Sequence, residues 1–159
     1  PWVHTNVTEA RRISLAIMFK PTPKVVAALR ERLDADGVAA LDAELRLRRP
    51  DLTHLLLRAA AAPSPLGRDL LAAVARAGCS LLGERHPGAT IEVRVPPFAA
   101  VQIGFEAGSR HTRGTPPNVV EMDPETFAAV ATGRLPWAEA DIRASGVHAG
   151  EAARAFPLT

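Results

Sequence analysis

After the stretch "GERHPG", Gly83 to Gly88, the spacing of apolar residues in this chain changes period. Upstream, apolar residues recur every three or four positions. Downstream, "TIEVRV" sets Ile91, Val93 and Val95 on one side and Glu92 and Arg94 on the other. A period near 3.6 gives a helix one apolar stripe, whereas a period of 2 gives a strand one apolar face. The chain is therefore expected to be helical before the switch and to build a sheet after it, which makes the fold class α+β.

Before the switch, Thr22 can cap and Pro23 can open a helix. Val25, Val26, Leu29 and Leu33 follow at helical spacing until "DADG", which predicts a stop at Gly37. A second helix is expected over Val38 to Leu47, and a third from Asp51 with Leu52, Leu55, Leu56 and Ala59 on one face. These three form an antiparallel helical layer. The connector "AAAAPSPLG" marks a division into an N-terminal helical segment, residues 1–62, packed on a main domain, residues 63–159. A fourth helix over Arg68 to Leu82 carries Leu70, Leu71, Val74, Leu81 and Leu82. Pro1 to Arg12 shows little periodicity, and Met18 ahead of "FKPTP" reads as a true N-terminus, with residues 1–17 expected to be peripheral or to belong to an upstream translation start.

After the switch, Thr90–Val95, Ala99–Phe105 and Asn118–Met122 are expected as three consecutive antiparallel strands, the first two joined at "PP". Asp123 is a good N-cap and Pro124 suits the first helical turn. Phe127, Val130 and Ala131 then share a helix face that Gly133 ends. A last helix is expected near Pro136, with "SGVHAGE" returning as an edge strand.

Composition narrows function. At 159 residues the chain is long enough to bury one sizeable core. Its single cysteine, Cys79, cannot form an internal disulfide, so a reducing, cytoplasmic setting is the default. No apolar run approaches the ~20 residues of a membrane span. The net charge is +2, and the densest basic run, "RLRRP" from Arg46 to Pro50, has no aromatic beside it, which argues against nucleic acid. Cys79 lies on a helix face beside Val74 and Leu82 and reads as a small buried hydrophobe. Ser64, Ser80 and Ser145 have no nucleophile-elbow context, and "GFEAG" lacks the spacing of a phosphate loop. No catalytic residue, metal or cofactor is expected.

The stretch "MDPETFAAVATGRLPWAEADIRASGVHAGE" resembles the C-terminal half of the sterol carrier protein family. Thr132, Gly133, Arg134 and Leu135 match its turn between two helices, and Gly146 and Gly150 match its closing strand. With "VRVPPFAAVQ" and "RHTRGTPPNVVE" ahead of it, the chain is similar to a bacterial branch of that family over about Pro65 to Thr159. The resemblance implies a mixed sheet covered by helices on one face, and an apolar space that takes a fatty acid, sterol or acyl-CoA in lipid-carrying members.

Candidate lining residues are Phe105, Phe127, Val130 and Trp137, although a structural core role is open to each aromatic. The loop "RHTRGTPP" carries two readings. Arg110, His111 and Arg113, with backbone N–H groups near Gly114, would form an anion pocket for a carboxylate or phosphate. Alternatively Arg113 would pair with Glu121 or Asp123 and tie the loop to the following helix. At the level of the whole molecule, two functions stand beside each other. One is a non-catalytic lipid or apolar-ligand carrier. The other is a protein-interaction module that docks a partner or a second copy, as a homodimer, through the N-terminal helices.

Overall fold

The computed structural model describes residues 21–105 and 118–159. Residues 1–17, the stretch ahead of Met18, lie outside them. Three short helices come first: α1 (Pro23–Arg32), α2 (Ala35–Leu45) and α3 (Thr53–Ala61). Thr22 caps α1 by accepting from the Val25 amide at 3.3 Å, with Pro23 in the first turn. The expected stop at Gly37 is corrected. The first helix ends at Arg32, and Asp34 caps α2 by accepting from the Gly37 amide at 2.8 Å. An aspartate that can satisfy an orphan helix amide is a starting signal, and here it outweighs glycine as a stop. Gly37 serves close packing instead: a Cβ there would lie 2.9 Å from the Leu33 Cβ. Helix α3 opens two residues later than expected, and Asp51 accepts from the Thr53 amide in front of it.

The central helix, α4 (Arg68–Arg85), runs a turn beyond Leu82 to the period switch. It packs on α1 and α3, on the strands β1 (Pro87–Val95) and β2 (Ala99–Ile103), and on α5 (Pro124–Ala131). Its buried residues include Ala72, Ala73, Ala75, Ala77 and Gly78, whose small volumes let neighbouring backbones approach. One hydrophobic cluster joins Leu29 and Leu41 of the helical layer, Leu55 and Leu56 of α3, Val74 and Leu82 of α4, and Ile91, Val93 and Phe127 beyond. Polar ties follow the same route. Arg134 Nε donates to the Ala60 carbonyl at 3.0 Å, and Arg32 donates to the Ser64 and Pro65 carbonyls of the connector.

The sheet has the order β2-β1-β3-β4, with β3 at Asn118–Glu121 and β4 at Arg143–Ser145. Strands β1 and β2 pair antiparallel, as do β3 and β4, but β3 runs parallel to β1. Three consecutive strands each paired antiparallel with the next are therefore not what forms. The three strands alternate in direction as expected, but β3 lies beside β1 and not beside β2; alternation dictates which face of a strand is buried and is silent about which strand becomes its neighbour. The connection from β1 to its parallel neighbour β3 includes β2 itself and is longer than the dozen or so residues a parallel pairing needs. Ile91, Val93, Val95, Ile103 and Val120 are buried on the helix-covered face, while Arg94 and Glu92 form an ion pair on the other.

The C-terminal expectations also need correction. A single 3₁₀ turn, Trp137–Glu139, replaces the last helix. Strand β4 lies ahead of "SGVHAGE". That segment instead turns at Gly146, φ 103°, into a 3₁₀ helix over Ala149–Ala155. A residue in the left-handed region ends strand geometry, and glycine adopts it without the Cβ penalty.

Candidate functional site

Helix α5 starts where Asp123 accepts from the Thr126 amide at 2.7 Å and Pro124 fixes the first turn. This orientation drives Phe127 into the core. Its ring lies so close to α4 that a Cβ on Gly78 would stand 2.6 Å from the Phe127 Cε1. Phe127 meets Phe156 edge-on, 6.0 Å between centroids at 89°, and Phe156 meets Trp137 at 5.2 Å and 39°. Phe127 is fully buried, whereas Phe156 and Trp137 are half-buried. The three rings thus lead from the centre of the core to the surface. The tail that carries Phe156 is pinned by the Leu158 amide, which donates to the Ala131 carbonyl at 2.8 Å, and by Arg85, which donates to the Leu158 carbonyl at 2.7 Å.

A second group forms where α4 and β2 end. His86 closes α4, and its carbonyl accepts from the Gly104 amide at 3.1 Å. The neighbouring backbones pass so closely that a Cβ on Gly88 would lie 2.6 Å from the Gly104 Cα. This contact fixes Phe105 beside His86, with 5.0 Å between ring centroids. The Arg154 guanidinium, from the C-terminal 3₁₀ helix, sits over the Phe105 ring at 4.6 Å. Desolvation pushes the His86 pKa below its ordinary value, and the charges of Arg85 and Arg154 push it further in the same direction.

Asn118, the buried polar residue of the described core, joins three segments. Its Nδ2 donates to the Thr90 carbonyl at 2.9 Å, and its Oδ1 accepts from the His148 amide at 2.9 Å. This holds β1, β3 and the C-terminal turn together, a structural task. His148, expected on a closing strand, stands in that turn with Nδ1 2.6 Å from Glu151 Oε1.

The structure gathers Phe127 and Trp137 into one aromatic chain, with Val130 buried on the same helix as Phe127, and places Phe105 in the other group. Arg110, His111 and Arg113 lie outside the described residues. Sequence reasoning missed His86, Arg154 and the bridging role of Phe156. The available signal was a histidine at the last turn before the period switch; nothing local marks Arg154. Cys79 is buried, and burial pushes its thiol up to about 12, far from a nucleophile's range. Among the described residues no cluster of His, Cys, Asp and Glu could hold a metal, and no helix is long and apolar enough to cross a membrane.

The fold is thus an α+β domain with a four-stranded mixed sheet and helices on one face. The family model described as "Bacterial SCP ortholog" matches residues 67–158, more than half of the chain, and the protein belongs to this bacterial sterol carrier protein-like family. No curated protein matches it.

Proposed function

We propose that the protein is a non-catalytic carrier of an apolar ligand, a fatty acid, sterol or acyl-CoA, working without a cofactor. The observation that carries this reading is the chain of rings from Phe127 through Phe156 to Trp137. It lies within the family-matched residues and is a continuous run of apolar rings from the surface to the contact of α4 with α5, against which an apolar tail would pack. Residues 63–159 form the carrier domain in this reading, and the helices before residue 63 are a structural layer that completes its core. A reducing, cytoplasmic setting suits a chain whose one cysteine is a buried free thiol.

Docking through the N-terminal helices has less to support it. The apolar residues Leu29, Leu41, Leu55 and Leu56 are spent on the protein's own core. Leu47 is the one large apolar side chain of that segment that stands more than half exposed among the described residues. Native mass spectrometry of protein purified from its own source tests the carrier reading. A co-purifying lipid of defined mass, released on denaturation, is expected. Protein of bare polypeptide mass at every preparation would count against it.

A further inference from the structure

We propose that His86 and Arg154, which meet at the Phe105 ring, together with Arg85 beside His86 in the chain, form a binding site for an oxyanion, and that its natural occupant is the carboxylate or phosphate end of an amphiphile. The choice of an amphiphile rests on the carrier reading above; the oxyanion site stands on its own geometry. Arg154 lies over the Phe105 ring at 4.6 Å, which positions its guanidinium without using its N–H donors. Among the described residues Arg154 has no hydrogen bond and no ion pair. Arg85 spends one nitrogen on the Leu158 carbonyl and has no acidic partner. His86 faces the same ring at 5.0 Å, and its carbonyl accepts from the Gly104 amide.

Among the described residues, the acids on the elements that carry this group do not pair with it: Glu151 is paired with His148, and Glu84 is exposed on α4 and forms no ion pair. One guanidinium from the C-terminal 3₁₀ helix and one imidazole from the end of α4 thus meet at a single aromatic ring, and the charge of Arg85 also reaches the imidazole. Arg85 and Arg154 disfavour a third positive charge on His86, together with the desolvation that is the larger cause. An oxyanion would accept from the free guanidinium donors and reverse the Coulombic sign at the imidazole. Binding and protonation of His86 are then coupled reciprocally: the anion raises the His86 pKa, and protonated His86 tightens the anion. The aromatic chain of Phe127, Phe156 and Trp137 joins this group through the C-terminal segment, in which Arg154 and Phe156 are two residues apart.

The test is a histidine-detected NMR titration of the full chain between pH 5 and 8 at constant ionic strength, with His86 assigned from His86→Gln. It is run alone and with sulfate, decanoate or decyl phosphate. Sulfate serves as the bare oxyanion because its charge does not change over this range. The His86 midpoint is expected to move upward with each probe while that of exposed His54 stays in place. Sulfate affinity at the acid end should exceed that at the alkaline end by roughly fivefold. In Arg154→Ala the midpoint should already be raised without any anion and should respond little to one. Decanoate or decyl phosphate acting at concentrations roughly tenfold below sulfate supports the amphiphile, and comparing those two probes tells carboxylate from phosphate. Equal action of all three keeps the oxyanion site and removes the amphiphile as its occupant. A midpoint unmoved by every probe, or an Arg154→Ala protein that responds like the wild type, overturns the site, even if decanoate binds elsewhere and the carrier reading survives.

Discussion

Phe127 and Phe105 are two phenyl rings of one small domain, and they rest on opposite kinds of support. Phe127 is enclosed by carbon: α4 presents Gly78 to it, Phe156 meets its edge, and no part of it reaches solvent. Phe105 is half-buried and bounded by an imidazole and by a guanidinium whose charge helps keep that imidazole neutral. Packing of the first kind fixes a structure. An arrangement of the second kind holds a titratable ring and a cation together at the edge of the core, and perturbed titratable groups concentrate at functional sites. The difference sets a ring locked by packing against one whose surroundings can respond to charge.

Replacing each ring in turn should break the comparison into two unequal effects. Phe127→Ala leaves a cavity beside Gly78 that the α4 backbone cannot readily fill, and is expected to cost about 3–5 kcal/mol. For a chain of this length that lowers Tm by roughly 10 °C or more in a thermal melt. A loss below ~2 kcal/mol would show that the interior around Phe127 is loosely filled. Phe105→Ala removes a half-buried ring and one cation–π contact, for a cost of about 1–2 kcal/mol. Part of that cost should be offset as Arg154 moves away from Arg85 and His86. If the two substitutions prove equally damaging, Phe105 belongs to the structural core and the distinction between the rings fails.

Much of the layer arrangement was legible in the sequence, because burial writes itself into spacing. Ile91, Val93 and Val95 announced the inner face of β1, and Asp123 with Pro124 announced the start of α5. What escaped was whatever spacing does not encode. The neighbour of β3, which is β1 and not β2, depends on the tertiary arrangement, and no alternation within Asn118–Glu121 records that. At Asp34 two local signals compete, a cap and a glycine stop, and the hydrogen bond to the Gly37 amide decides between them. Of the candidate lining residues, Phe127 and Trp137 meet through Phe156, which a helical face reading of α5 could not supply. The partnership of Phe105 with Arg154 is harder still, since the two are far apart in the chain and neither sits in a recognisable motif. Long-range surface contacts of this kind are set by the tertiary fold, and sequence periodicity carries no trace of them.

In the carrier reading an apolar ligand enters beside Trp137, the ring of the aromatic chain whose own emission can report it. Tryptophan emission tests it most directly, in a Trp2→Phe background that leaves Trp137 as the sole indole. Saturable blue-shift and enhancement on adding decanoate, below its micellar range, is the predicted result, because a ligand seated against Phe156 would replace water at the half-buried indole. Emission that stays unchanged up to the solubility limit of decanoate and of a longer fatty acid would contradict the claim.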